Sequence, residues 1–470
     1  MTTQTTEQAT IAIPDLDLHV RRKADAKTVA TALAVGALFD LALRSGVTGL
    51  GGALTIAAAA LALVATGRAA TPQARALAAA AALFGGFLAV RTSDWLVGPD
   101  VMAAALLLTM AASVGDGRSV FDLSIPHAAL RAAAAAVHTA AAPAFLATAK
   151  PARRLPTAAV RGVALATPIV VVLAALLASA DAVFASLFRI PSSPAELIGH
   201  LTIIGIGAWG MAGLLRTASA TPPNAAPHAK RARSTEANVV LAGLVALFTA
   251  FTATQLVTAV GGARHVLEQQ GLTYAEYARS GFFQLLAVAA LTMATLLAIR
   301  AATDLSKATL VLAEIAVGLT IVIVGVALYR LDLYEQAFGL TMLRLYCQIA
   351  AVWIALAFVL LGAALAGLAS HRQWFPGAAT AAALAILACL NIANPEALVV
   401  KRNVARATAV RTVDTAYLGT LSDDAVPALH RAGILPPEAC DEPRQKGWAA
   451  ANWSRAKANG VRNRAAVCHP

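Results

Sequence analysis

The sequence predicts an all-α polytopic integral membrane protein, with about eleven transmembrane helices and a small helical extracytoplasmic cap at the C-terminus. Three observations predict it. Of 470 residues, 59% are hydrophobic and 13% charged, against roughly 45–50% and 25% in an ordinary soluble domain. The apolar residues gather in runs near the roughly 20 residues that a helix needs to cross hydrocarbon. The basic residues, which leave a net charge of +12, fall mainly in alternate connections between those runs, as a topology signal does. A soluble multidomain enzyme, a disordered chain and a disulfide-rich scaffold are excluded, the last because four Cys in 48.0 kDa build no framework. Basic residues occur singly or in threes with no long basic face, so no nucleic acid is expected as a partner.

Residues 1–27 form a polar arm with Arg21, Arg22, Lys23 and Lys27 next to the first apolar run, 28–43. The arm is long and carries Glu7, Asp15, Asp17 and Asp25, and Asp40 interrupts the run, so an uncleaved first helix is expected rather than a signal peptide. Further spans are expected at 48–67, 76–92, 96–114, 160–180, 197–216, 238–259, 280–299, 308–328, 345–368 and 377–393. The stretch 126–148 has spanning length but holds His127, Arg131 and His138 among alanines. An Arg at mid-depth costs about 2.5–3.5 kcal/mol, which Ala scarcely offsets, so an interfacial helix is expected there. A Pro-rich stretch with Lys230, Arg231 and Arg233, residues 217–235, reads as a cytoplasmic linker between a first half, 28–216, and a second, 236–393. With the N-terminus inside, nineteen basic residues fall on the inner side and seven on the outer, the tail apart. That excess is the one expected of a cytoplasmic face.

An odd number of spans places the tail, 394–470, outside. Its Glu396–Tyr417 stretch reads as helical, and Ser422, Asp423 and Asp424 suit the start of a helix that Gly433 stops. Two readings of Cys440 and Cys468 stand: a disulfide contributing about 3 kcal/mol, or two independent thiols. Cys347 and Cys389 lie in apolar helices and read as packing.

Two acids lie within spans. Asp40 and Glu314 each sit among apolar neighbours, a costly position that marks a proton relay, a ligand contact or a buried partner. The plainer alternatives are an Asp40 that reaches the interface and a Glu314 paired with Lys307. Gly205, Gly207 and Gly210 match a dinucleotide fingerprint by spacing, but no strand precedes them, and close helix packing explains them. Gly318 and Gly325 likewise suggest a packing seam. No phosphate loop, zinc-ligand pair, redox C-x-x-C or nucleophile elbow occurs, so no catalytic residue, metal or cofactor is expected.

Several phrases recur together: Ser179, Ala180, Asp181 and Phe184; the run from Tyr277 to Phe283; and Tyr329, Arg330, Tyr334, Gly339, Leu340, Thr341 and Arg344. Asn394, Pro395, Arg402, Asn403 and Asp414 follow, then the run from Leu421 to Ala428. Over roughly 160–430 the chain resembles a family of multi-pass bacterial membrane proteins, common in actinobacteria, that carry a domain of unknown function. The resemblance implies topology and no chemistry. On the expected topology these phrases fall on the outer side. Asp181, Arg279, Arg330, Asp332, Glu335 and Arg344 would then line an outer polar pocket walled by Tyr274, Tyr277, Tyr329 and Tyr334. An amphipathic interfacial helix explains the 330–335 spacing equally well.

Three functions remain. The first is a non-enzymatic envelope sensor, scaffold or regulator that meets another protein or a small anionic ligand on its outer face. The second is a proton-coupled transporter of an anionic solute using Glu314 or Asp40. The third is a membrane enzyme acting on lipid-linked substrates, with Asp332 as its acid. The lipid bilayer is a partner in all three.

Overall fold

The computed structural model describes residues 19–114, 119–149, 193–223, 233–260, 281–303, 305–368, 373–410, 413–440 and 447–468, with scattered positions between 166 and 180. The chain is an all-α polytopic membrane protein, and among the described residues eight helices are long and apolar enough to cross a bilayer. The first half contributes α1 (Ala26–Ser45), α2 (Leu50–Ala65), α3 (Pro72–Phe87), α4 (Asp94–Ser113), α5 (Ile125–Ala140), α6 (Ala142–Ala147) and α7 (Pro194–Thr217). The second contributes α8 (Ser234–Val260), α9 (Phe282–Ala302), α10 (Lys307–Phe338), α11 (Met342–Leu365) and α12 (Trp374–Ala393). The tail folds as α13 (Pro395–Val410), α14 (Thr415–Gly419), α15 (Val426–Arg431) and α16 (Trp453–Arg462).

Local chemistry starts these helices where they start. Asp25, Thr71, Ser124, Ser193, Ser306 and Thr341 each cap a first turn by accepting a backbone N–H, and Pro follows at the first or second helical position of α3, α5 and α7. Between the caps, apolar residues go all the way round. Leu61, Met102, Val239 and Leu291 stay 66–73% exposed on the outside of the bundle. Such surface is stable against lipid and not against water.

Two apolar cores result. One joins α1–α4 with α7, and the other joins α8–α12; Leu384, Leu387 and Ala388 of α12 pack against the first core and connect them. The closest approach is α1 on α7. There a Cβ on Gly36 would collide with the Ile204 carbonyl, and one on Gly207 would lie 2.8 Å from Phe39 Cβ. Of the three glycines expected to pack closely, Gly207 does, whereas a Cβ on Gly205 or Gly210 would meet nothing within 4 Å among the described residues. The same holds for Gly318 and Gly325, which therefore form no seam with the described residues. Glycines seven apart share a helix face, but the neighbouring helices lie on other faces.

Polar contacts sort the helix ends onto two opposite faces. On the first, Arg68 between α2 and α3 donates to Thr28 at the start of α1 and to Ser219 after α7, and Thr309 at the start of α10 donates to Asn238 of α8. On the second, the tail meets the α1–α2 turn through Leu50 N–H and the Ala451 carbonyl, and the α3–α4 turn through Trp453 N–H and the Ala89 carbonyl. Residue 20, bridged to Ala220, and the tail therefore lie on opposite faces of the bundle. Among the described residues, α1–α4 and α7–α12 run between the two faces. Ser113 is on the first and Pro194 on the second, so the chain changes face between them; the expected span at 160–180 lies mostly outside the described residues. α5 lies along the first-face end of α7, with Trp209 Nε1 donating to the Thr139 carbonyl and Arg216 to His138 Nδ1.

Among the boundaries that differ from expectation, two bear on the contact between bundle and tail. α10 continues ten residues past the expected end at 328, so Tyr329–Glu335 are helical rather than a connection. In the tail, the helix after Ser422 starts only at Val426; the Ser422 hydroxyl donates to Glu396 and accepts from the Asp424 N–H ahead of it.

Candidate functional site at the junction of bundle and tail

The densest buried polar chemistry among the described residues is where the tail meets α4, α11 and α12. α12 ends on Asn394 in the left-handed conformation (φ 57°), which turns the chain into Pro395 and α13. The Asn394 amide donates to the Asp424 carbonyl at 2.9 Å. The Asp424 carboxylate in turn accepts from the backbone N–H groups of Thr92 and Ser93, each at 2.9 Å, and from the Ser454 hydroxyl. Those N–H groups open α4, so a tail carboxylate supplies the negative charge that a helix N-terminus favours. Arg91 completes the exchange. Its Nη1 pairs with Asp424 at 3.3 Å, while Nε and Nη2 donate to the carbonyls of Asn391 and Ile392 at 2.6 and 3.2 Å. A cation thereby sits at the C-terminus of α12, where carbonyls lack partners.

Three more buried acids surround this pair. Asp423, 1% exposed, faces Arg462 at 2.8 Å and Arg455 at 3.7 Å. Glu396, 2% exposed, accepts from the backbone and hydroxyl of Ser422 at 2.8 and 2.7 Å. Burial pushes the Glu396 carboxyl above the usual range, the Ser93 and Ser422 hydroxyls oppose that, and Asp424 adds to it. Asp100 on α4 is fully buried and accepts from Asn391 Nδ2 at 2.8 Å. The cations of the junction therefore serve Asp423 and Asp424, while Glu396 and Asp100 have neutral partners. An apolar layer of Leu340, Met342, Val399, Val400, Leu418 and Leu429 seals the tail beside them.

The expected site residues separate. Asp40 has partners: Arg44 Nε at 2.9 Å and His200 Nδ1 at 2.6 Å, the latter tying α1 to α7. Glu314 does not pair with Lys307; its Oε1 is buried without a hydrogen bond, and its other oxygen lies against Gly362 of α11. Of the outer-pocket residues, Asp181, Tyr274, Tyr277 and Arg279 lie outside the described residues. Tyr334, Glu335 and Arg344 do come together: the Arg344 guanidinium stacks 4.4 Å over the Tyr334 ring, donating to the Gly339 carbonyl, and Glu335 accepts from Gln348 at 2.8 Å. Tyr329 faces outward at 64% exposure, Arg330 donates to Gln255 at 3.3 Å, and Asp332 accepts from Gln336 on its own helix. Cys440 and Cys468 are joined by a disulfide with Cα atoms 5.5 Å apart.

Sequence reasoning missed Asp100, Asn391, Arg91 and Glu396. Asp100 lies near the end of its span and follows Pro99, so it reads as a terminal acid. The signals that were present are an Asp early in an apolar span that follows Arg91, and an Asn late in a span that ends on Asn-Pro-Glu.

No curated protein and no solved structure is significantly similar to the chain. The profile of a domain of unknown function, DUF4153, matches residues 77–432, starting well before the region where the resemblance was legible and including Arg91, Asp100, Asn391, Glu396 and Asp424. The match covers most of a chain already seen to be a multi-pass helical bundle, and this protein belongs to the DUF4153 family.

Proposed function

We propose that the protein is a non-enzymatic envelope component of the plasma membrane, a sensor, scaffold or regulator, whose working part is the tail seated on the extracytoplasmic face of the bundle. The observation that carries this reading is the junction itself. Asp423 and Asp424 are buried against Arg91, Arg455 and Arg462, and breaking a buried ion pair costs about 3–5 kcal/mol, so the tail is held as a fixed platform. Across the arm and the connections of the bundle, the tail's own basic residues apart, the excess of basic residues on the expected inner side supports the orientation. The disulfide supports it too, since such bonds persist in oxidising compartments. The orientation is tested with Cys introduced at the exposed Lys27 and Lys457. An impermeant maleimide applied to intact cells is expected to label Lys457→Cys and to reach Lys27→Cys only after permeabilisation. The reverse pattern refutes the arrangement.

A second reading, a proton-coupled transporter, is favoured by Glu314 alone, whose buried oxygen lacks a partner. Asp40 gives it no support, because Arg44 and His200 occupy its carboxylate. Proteoliposomes under an imposed proton gradient separate the two. A solute-stimulated proton flux lost in Glu314→Gln establishes transport; its absence favours the platform.

A further inference from the structure

Asp100 and Asn391 face each other across α4 and α12, 0% and 1% exposed. Asn391 Nδ2 donates to Asp100 Oδ1 at 2.8 Å and to the Leu387 carbonyl at 3.1 Å, so both of its hydrogens are used. The remaining oxygen of each group, Asp100 Oδ2 and Asn391 Oδ1, is buried without a hydrogen bond. Two acceptors left over on two groups already joined by one N–H···O bond lack one thing between them, a donor.

We propose that Asp100 is a proton-binding site of the bundle: its carboxyl is protonated in the folded protein and closes a ring of two hydrogen bonds with the Asn391 carboxamide, Oδ2–H to Oδ1 one way and Nδ2–H to Oδ1 the other. A single proton satisfies both orphaned oxygens. A bare carboxylate would leave two, at about 1–3 kcal/mol each and more for the charge. A metal cation fits less well, since hard cations take six or more oxygens and only two are left over here.

The surrounding charges agree. Tyr346 of α11 lies within electrostatic reach of both Asp100 and Glu396 and donates its hydroxyl to the Trp95 carbonyl. Arg91 reaches the Asn391 carbonyl and pairs with Asp424 of the tail. Asp94 lies at the start of the same helix as Asp100. Loss of the proton would put a buried charge beside Tyr346 and Asn391, whose backbone carbonyl holds the Arg91 that pairs with Asp424, which weakens the seat of the tail. That last link rests on the tail being the working part; the proton site itself does not.

Asp100→Asn tests the site, because its amide reproduces the protonated acid in shape and in its one donor and one acceptor toward Asn391. The folded protein in lipid nanodiscs is expected to show the infrared carbonyl stretch of a protonated carboxyl near neutral pH, and Asp100→Asn to lack that component. A folded proton-holding carboxyl loses stability as pH rises from its unfolded value, near 4, toward its folded one, by up to about tenfold in the folding constant per pH unit. Asp100→Asn is expected to fold and to lose that dependence. Glu396 contributes with the same sign, so the comparison is made in a Glu396→Gln background, where the difference between the two proteins reads Asp100. The proposal is overturned if the band is unchanged in Asp100→Asn, if that variant fails to fold, or if sodium stabilises the wild type and not the variant. Amide exchange in α15 that stays flat through the pH at which the band disappears overturns the link to the tail, while labelling of Lys457→Cys decides the reading of the tail separately.

Discussion

Replacing Asp424 with Ala removes the carboxylate on which the tail turns. Four donors lose their acceptor: the N–H groups of Thr92 and Ser93, the Ser454 hydroxyl and Arg91 Nη1. Buried donors left unsatisfied cost about 1–3 kcal/mol each, and a buried ion pair broken from one side about 3–5 kcal/mol. The two figures overlap, because Arg91 keeps its carbonyls on α12 and water reaches part of the gap, so about 3–5 kcal/mol is expected in all. At about 1.4 kcal/mol per tenfold, opening of the tail rises by two to nearly four orders of magnitude. Hydrogen–deuterium exchange reads this directly in α15 and α16, with the backbone of α9 and α10 as an internal reference that should not change. An increase below tenfold in the tail would show that the apolar layer around Leu418 and Leu429 holds it and that the ionic junction does not.

Three further outcomes are expected. Cys440→Ser, or reduction of the disulfide, should cost about 3–4 kcal/mol on the chain-entropy account, seen as faster exchange in the segment between Cys440 and Cys468 and as a mobility shift on reduced gels. Asp40→Ala strands Arg44 and the partly buried His200, so thermal unfolding should occur earlier by an amount equivalent to about 1–3 kcal/mol, whereas any catalytic or transport readout that depends on Asp40 alone would contradict its role as a tie between α1 and α7. On α5, burial and the facing Arg216 hold the His138 imidazole neutral, pushed down to about 4. The unfolded chain then binds more protons below its ordinary value near 6.5, and the stability this group contributes is lost as pH falls from there toward about 4; His138→Asn, which keeps an acceptor for Arg216, should flatten that limb in unfolding curves.

What could be read from the sequence was whatever hydrocarbon dictates locally. A run of apolar residues near twenty long has one stable arrangement in lipid, a helix with its backbone bonded to itself. The class and many of the spans were therefore legible from runs such as Thr28–Leu43 and the Ala- and Leu-rich stretch 377–393. Arg131 among alanines set the stretch 126–148 apart, where α5 and α6 form and α5 packs against α7. Helix starts are set as locally, since a Ser or Thr cap acts within four residues, yet the one cap read from the sequence, Ser422, does not open its helix. The end of α10 was not legible, because Tyr, Arg and Asp read as an interface whether or not the helix continues through it. Nor was the junction: Asp100 and Asn391 are 291 positions apart, and Arg91 and Asp424 are 333. Arg91, Asp100 and Asn391 each look like an ordinary polar residue near the end of a span, and Asp424 like an acid in the first turn of a tail helix. Only the packing of α4 against α12, with the tail folded back over both, removes them from water, and it is that removal which makes their pairing, and the proton proposed for Asp100, a matter of several kcal/mol.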